Sequence, residues 1–233
     1  MERHFHRDLA ALKNDLLRMG ALGQRMVQTA VKGLTDRDGA LFAEVRRDEE
    51  QMNSLHMSLD ERCFTLIALQ QPAASDLRFL LAALKSISEL ERVGDQSINV
   101  VKSGEVLLRE APLKPLIDIP RMADLTQRMV HDSLRSFVDK DVELARSVLV
   151  TDDEVDALRD QVFRELLTYM LGDPTSITRA LHLILISRSL ERIADHATNI
   201  AEDVIFMAAG TDVRHRAVDQ LVEAAREAGE AAR

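Results

Sequence analysis

Residues 90–99 read LERVGDQSIN and residues 190–199 read LERIADHATN. Leu, Glu, Arg, Asp and Asn recur in these two segments at a constant offset of 100 residues. A repeat of this kind indicates an internal duplication, in which each copy forms one structural unit. Weaker similarity lies upstream, where residues 49–55 (EEQMNSL) resemble residues 152–158 (DDEVDAL). The sequence therefore predicts two units of the same plan in tandem.

The composition around this repeat favours helices. The chain of 233 residues has 9 glycines, 5 prolines, no tryptophan and only 3% aromatic residues. Strands favour aromatic and β-branched side chains, and tight hairpins need glycine or Asn-Gly turns. The hydrophobic fraction of 46% comes mainly from residues that suit helices, such as Leu and Ala. We predict an all-α protein without a glycine-rich phosphate loop, whose motifs are absent from the sequence.

Helical periodicity places three helices in each unit. The predicted helices cover residues 7–34, 39–68, 75–108, 122–138, 142–171 and 176–209. An acidic turn follows the first helix of each unit, and a proline follows the second helix. Asp38, Ser75 and Ser176 are predicted to cap helix N-termini, because their side-chain oxygens can accept hydrogen bonds from the first backbone N–H groups.

Three of the five prolines, Pro112, Pro115 and Pro120, lie in one short segment, which indicates a linker. The predicted architecture is therefore two tandem three-helix bundles related by internal duplication. The first bundle covers residues 1–109, the linker residues 110–120, the second bundle residues 121–210, and a charged tail with a short helix residues 211–233.

Charge and cysteine usage narrow the class of protein. The formal net charge is −9, which does not suit binding to nucleic acid. Cys63 is the single cysteine, and its apolar neighbours predict a core residue rather than a nucleophile. The first residues lack the apolar stretch of a signal peptide, and no run of 18 apolar residues occurs. We expect a cytoplasmic protein without a transmembrane segment, peripheral to a membrane at most.

Carboxylates fall on a helical face where charge is unexpected. On a helical wheel, Glu91 and Asp95 lie in the centre of the apolar stripe of the third predicted helix. Glu191 and Asp195 are placed in the same way on the sixth. A carboxylate that is buried without a partner is costly, so each would need a cation or hydrogen-bond donors.

The second helix of each unit offers further oxygen ligands. Glu49 and Asn53 in the first unit, and Asp152 and Asp156 in the second, are four residues apart and therefore share a helix face. Oxygen ligands from two helices suit a hard divalent cation. An alternative interpretation remains open, in which the acids pair with arginines, either the adjacent Arg92 and Arg192 or arginines of other helices.

The two copies of L-E-R-[VI]-x-D-x-x-x-N resemble the PhoU family of phosphate-uptake regulators. Residues 71–78 (QPAASDLR) and 212–215 (DVRH) are similar to further motifs of that family. The resemblance implies two three-helix bundles and metal sites formed by E(D)-x-x-x-D pairs, holding iron, zinc or another divalent cation. By the same resemblance the metal ligands are Glu91, Asp95, Glu191, Asp195, Asp152, Asp156, Glu49 and Asn53. Asn53 has no charge, so the first site should be the weaker one.

The resemblance also implies a role without catalysis. A protein of this family is a negative regulator of phosphate uptake and of the phosphate-starvation response. It is an adaptor between the ATPase subunit of a phosphate ABC importer and a sensor histidine kinase, and it forms a homodimer. Two alternatives remain: a structural or chaperone-like bundle whose acids form salt bridges, and a carboxylate-bridged metalloenzyme. The enzyme is disfavoured because none of the seven histidines has a glutamate three residues before it.

Overall fold

The computed structural model describes residues 2–70 and 72–209, with side chains for residues 5–70 and 72–208. Within these ranges the chain forms six long α-helices and no strand, which confirms the all-α prediction. The helices are α1 (Glu2–Thr35), α2 (Gly39–Gln70), α3 (Ala74–Leu107), α4 (Asp118–Asp139), α5 (Val142–Gly172) and α6 (Ile177–Ala209). A 3₁₀ turn at Pro174–Ser176 precedes α6. The predicted tail helix and the motif at 212–215 lie outside the described residues.

The six helices pack as two three-helix bundles, as the duplication predicted. Helices α1, α2 and α3 pack against one another, and so do α4, α5 and α6. The bundles also pack side by side, because α3 lies along α6 and α1 lies along α4. One continuous cluster of buried apolar side chains runs through both bundles. Cys63 is one of these core residues. Burial raises the pKa of its thiol to about 12, and the buried position confirms the prediction that Cys63 is a packing residue.

The turns after α1 and α4 have the same construction. The middle residues of the two turns, Arg37 and Lys140, adopt left-handed φ angles of 57° and 56°. Asp38 then accepts a hydrogen bond from the backbone N–H two residues on, at 2.9 Å, and Asp141 from the N–H three residues on, at 3.0 Å. The prediction that Asp38 caps α2 is confirmed, and the shared geometry shows the duplication at the backbone level.

Two predicted serine caps are wrong. Helix α3 begins one residue before Ser75, so Ser75 lies inside the first turn, and the residue at the N-cap makes no side-chain hydrogen bond. The chain before α6 is already wound into the 3₁₀ turn, whose cap is Asp173. As a result the hydroxyl of Ser176 is buried and has no hydrogen-bond partner. Before α6, Pro174 begins the 3₁₀ turn two residues ahead of Ser176, and before α3 the helix begins directly after Ala73.

The segment between α3 and α4 is held against both bundles. Arg37 donates hydrogen bonds to the backbone carbonyls of Leu108 at 2.9 Å and Glu110 at 2.7 Å. Lys114 is mostly buried and pairs with Glu165 of α5. Helix α4 begins at Asp118, four residues earlier than predicted, because a proline is tolerated in the first helical turn, where its missing N–H costs nothing.

A phenylalanine closes one end of the first bundle. The ring of Phe42 on α2 is 1% exposed and lies between two glycines, Gly33 on α1 and Gly104 on α3. A Cβ atom would lie 2.7 Å from the ring at Gly33 and 2.5 Å from it at Gly104. Glycine is therefore required at both positions by close packing against the aromatic ring.

This packing predicts that Gly104→Ala destabilises the protein. Forcing a methyl group against the Phe42 ring should lower the free energy of unfolding by about 1–3 kcal/mol. This cost should exceed the gain of up to about 1 kcal/mol that alanine normally brings to a helix relative to glycine. Urea unfolding should show the lower free energy of unfolding. Gly39→Ala is the matched control, because a Cβ there meets only ordinary contact at 3.8 Å. The packing interpretation is refuted if both substitutions stabilise the chain equally.

Candidate functional site

The predicted ligands lie at the edge of the core rather than in its centre. Glu91 and Glu191 are half-buried, whereas Asp95 and Asp195 are exposed. The prediction that these four side chains occupy the middle of a buried stripe is therefore wrong. The reason is that α3 and α6 each pack against three other helices, so that buried residues cover most of each helix. Along their middle parts only a narrow strip stays in solvent: between residues 81 and 102 of α3 it is Leu81, Lys85, Arg92, Asp95 and Lys102, and between residues 181 and 195 of α6 it is Leu181, Leu185, Arg188, Arg192 and Asp195.

The second unit brings its four predicted ligands together. Asp152 and Asp156 on α5 lie near enough to Glu191 and Asp195 on α6 for their charges to act on one another. Arg159 lies among them. Its Nη1 donates to Oδ1 of Asp156 at 2.9 Å and to Oε1 of Glu191 at 2.6 Å. Arg159 lies on α5, so Glu191 on α6 is paired with an arginine of another helix, as the salt-bridge interpretation predicted.

The crowding of acids changes how the cluster holds protons. Burial, and then the charges of Asp195 and Asp156, raise the pKa of Asp152 to about 7. The pKa of Asp195, which keeps part of its side chain in solvent, is also raised, by partial burial and by the charge of Glu191. A cation bound at this place would favour the charged forms and lower both pKa values.

The donor types of this cluster fit a hard divalent cation, since such ions take carboxylate oxygens. The arrangement, however, is not that of a formed metal site. Within residues 2–70 and 72–209, no three His, Cys, Asp or Glu side chains are grouped so that they could hold an ion. A cation that bound to Asp156 and Glu191 would require Arg159 to release both carboxylates.

The first unit does not repeat this arrangement. Its predicted ligands are Glu49, Asn53, Glu91 and Asp95, and no hydrogen bond or ion pair joins any of them to another in the described part of the chain. The residue that corresponds to Arg159 is His56, which lies 3.5 Å from Asp60. A bidentate ion pair forms nearby instead, where Arg25 Nε and Nη2 donate to the nearly buried Asp48 at 2.8 and 2.7 Å.

Sequence reasoning missed a polar cluster between the two units. Glu89 on α3 accepts hydrogen bonds from Nδ1 of His196 at 2.7 Å and from Asn199 at 3.1 Å, both on α6. Burial would raise the pKa of Glu89, but these hydrogen bonds outweigh burial and hold the pKa below its usual value. A comparison of the two repeats could have pointed to this cluster. The residue 100 positions after Glu89 is Ser189, so an acid is present in one copy and absent from the other.

The duplication and the six-helix arrangement agree with comparisons to known proteins. A family model described as "PhoU domain" matches the chain twice, at residues 16–103 and 119–204. The chain belongs to the PhoU family. PhoU proteins are regulatory accessory proteins, so this membership confirms the prediction that the chain is not an enzyme.

Curated PhoU relatives match over nearly their whole length. The phosphate-specific transport system accessory protein PhoU homolog of Pseudomonas aeruginosa is 39% identical over 96% of this chain and 93% of its own. The homolog of Aquifex aeolicus is 38% identical over 93% of this chain and 98% of its own.

Solved PhoU structures share the fold. The crystal structure of PhoU from Pseudomonas aeruginosa has a TM-score of 0.85 at 39% identity, covering 89% of this chain and all of that one. The phosphate transport system regulatory protein PhoU from Streptococcus pneumoniae has a TM-score of 0.83 at 27% identity, covering 90% of this chain and 99% of that one. The two-bundle arrangement is therefore that of the PhoU family.

The raised pKa of Asp152 predicts how stability depends on pH. The folded protein keeps a proton up to about pH 7 that the unfolded chain loses near pH 4, so raising the pH through this window favours unfolding. Asp152→Asn should remove this loss of stability. The measurement is urea unfolding between pH 4 and 8 with a chelator present. Asp124→Asn is the control, because Asp124 is an exposed acid on α4 whose charge is not among those that raise the pKa of Asp152. Equal pH slopes for wild type and Asp152→Asn would contradict the prediction.

Proposed function

We propose that this protein restrains phosphate uptake and keeps the phosphate-starvation response off when phosphate is plentiful. It acts as an adaptor in the cytoplasm, between the ATPase subunit of a phosphate ABC importer and a sensor histidine kinase, and it works as a homodimer. The observation that carries the proposal is the near full-length similarity to phosphate-specific transport system accessory proteins. No described helix is long and apolar enough to cross a membrane, so contact with membrane partners would be peripheral.

Exposed apolar side chains support a role in protein contact. Phe163, Leu167 and Leu171 are spaced four residues apart on α5 and are 49%, 41% and 78% exposed. Ile177 and Leu181, four residues apart at the start of α6, are 46% and 48% exposed. Contiguous apolar surface on a protein of this size is typical of an interaction site. We assign this stripe, defined by these five residues, to the regulatory contact.

Deletion of the gene should raise expression of phosphate-starvation genes in phosphate-rich medium, because the restraint is lost. A reporter of those genes measures the effect. The wild-type gene should restore repression, and Leu167→Glu should not, since a charge there disrupts an apolar contact. Val150→Glu is the matched control. Val150 is also exposed on α5 but lies 17 residues before Leu167, which is about 25 Å along the helix. Unchanged expression after deletion would refute the regulatory role.

The experiment separates two hypotheses: that the protein represses phosphate-starvation genes, and that it does so through the apolar stripe. If deletion raises expression but Leu167→Glu restores repression as well as Val150→Glu does, the adaptor acts through another surface. Far-UV circular dichroism of both variants shows whether they are folded. Both substitutions change an exposed side chain, so both should keep the helical spectrum of the wild type.

We further propose that iron, zinc or another divalent cation binds the second-unit cluster, with Asp152, Asp156, Glu191 and Asp195 as the oxygen donors. The pKa of about 7 at Asp152 supports this, because crowded carboxylates gain from a cation. Glu49, Asn53, Glu91 and Asp95 would form the weaker first-unit site, since Asn53 contributes no charge. A bound ion would supply positive charge that holds α5 to α6.

Arg159 should compete with the metal, because both would bind the same two carboxylates. Arg159→Gln should therefore raise metal affinity, and Glu191→Gln should lower it. Elemental analysis of protein isolated without chelator, followed by titration with Zn²⁺ and Mn²⁺, measures both effects. Glu91→Gln is the matched control and should lower metal content less than Glu191→Gln. Wild-type protein that neither carries nor takes up metal would sink the metal proposal and leave the regulatory role standing.

A further inference from the structure

A positively charged cleft lies between the two bundles, on one side of the contact between α3 and α6. Its volume is about 400 Å³. The polar residues that line it are Gln96, Asn99, Lys102 and Ser103 from α3 and Arg188, Ser189 and Arg192 from α6. No carboxylate lines it, although the chain as a whole carries a net charge of −9. The cleft thus concentrates positive charge on an acidic protein.

The cations of this cleft have no ion-pair partner within the described residues. In the part of the chain that the structure describes, Lys102, Arg188 and Arg192 form no ion pair with any Asp or Glu. Arg188 and Arg192 are one helical turn apart and point along the same face of α6. Three neighbouring positive charges repel one another unless an anion lies among them.

Neutral hydrogen-bond donors lie in the floor of the cleft. Ser103 is 7% exposed, and its hydroxyl has no hydrogen-bond partner among the described residues. Gln96 is 9% exposed, and its carbonyl accepts from Asn99 at 3.3 Å, which leaves its NH₂ group to donate. The Ser103 oxygen is open to the cleft rather than sealed in the core, so it can donate to an anion that binds there.

The duplication supplies an internal comparison for this cleft. On the opposite side of the α3–α6 contact, the equivalent positions carry acids that are already paired. Glu89 accepts from His196 and Asn199, and Asp203 accepts from Lys85 at 2.7 Å. On the cleft side, Glu89 corresponds to Ser189 and Asp203 to Ser103. Serines therefore stand where the paired acids stand on the other side.

Two of the three cations of the cleft are additions relative to the paired side, whereas Arg192 corresponds to Arg92 and the paired side has Lys85 where the cleft has Leu185. Arg188 corresponds to Ser88, and Lys102 corresponds to Glu202. Loss of the acids together with gain of two cations leaves a place for negative charge that the described residues do not fill. Replacement of acids by serines and addition of cations both favour a bound anion at this one contact.

We propose that this cleft binds a compact, doubly charged oxyanion: inorganic phosphate, or the phosphate group of a small organic phosphate. Guanidinium groups suit it because their paired N–H donors match two oxygens of a phosphate. Lys102 adds charge, and Ser103 and Gln96 donate to the remaining oxygens. Because residues from both bundles line the cleft, the bound anion would bridge α3 and α6.

Isothermal titration of the isolated full-length chain tests this inference, with inorganic phosphate and adenosine 5′-monophosphate as probes at constant ionic strength. We expect saturable binding of one anion per chain below about 10 mM. Arg192→Gln should weaken binding at least about tenfold, since it removes a charge-assisted hydrogen bond. Arg92→Gln is the matched control, because Arg92 is the equivalent residue on the paired side and is equally exposed. Ser103→Ala should weaken binding less than Arg192→Gln.

The two probes distinguish the sources of the phosphate group. Tighter binding of inorganic phosphate identifies the free anion, and tighter binding of the monophosphate identifies an organic phosphate. Absence of saturable binding of either probe would overturn the proposal. An equal loss of affinity in Arg92→Gln and Arg192→Gln would overturn it too, because the anion would then be held by general charge. Binding is measured on the isolated chain, so its failure is separate from failure of the regulatory role.

Discussion

The antiparallel packing of α3 against α6 is the contact on which the rest of the structure depends. It is the most extensive helix–helix contact in the described residues, and it joins the two bundles through one apolar core. Removal of these apolar side chains from water is the main force that stabilises the pair. Because the two helices are copies of one repeat, the two sides of their contact are built from equivalent positions and can differ only through sequence.

Charge at the edges of this contact is balanced in three different ways. At Glu89, histidine and asparagine side chains of the opposite helix satisfy the carboxylate. At Glu191, Arg159 supplies the positive charge, and the crowding of acids that remains is shown by the raised pKa of Asp152. At Arg188 and Arg192 the described protein supplies no counter-charge. Charge is therefore satisfied within the fold at Glu89, only partly satisfied around Glu191, and left to solvent or a ligand at the exposed Arg188 and Arg192.

The sequence predicted the helices better than it predicted which faces are buried. Helix order, the two acidic turns and the cap at Asp38 follow from local spacing, and the structure has them. The burial of Asp95 and Asp195 was predicted wrongly, because a helical wheel assumes one buried face, whereas α3 and α6 each have three neighbours. The caps at Ser75 and Ser176 failed for a local reason, since in both places the helical winding begins before the serine, at Ala74 and at Pro174.

By itself, the sequence determined the all-α class, the duplication and the residue types available at each site. These depend on composition, periodicity and repeat offset, which are properties of the chain alone. The tertiary structure decided which charges meet: Arg159 with Glu191, Glu89 with His196, and, among the described residues, no acid with Arg192. Such contacts join residues far apart in the chain, and their distances depend on how helices pack. Helix packing is set by the whole apolar core, so no local pattern can specify these pairings.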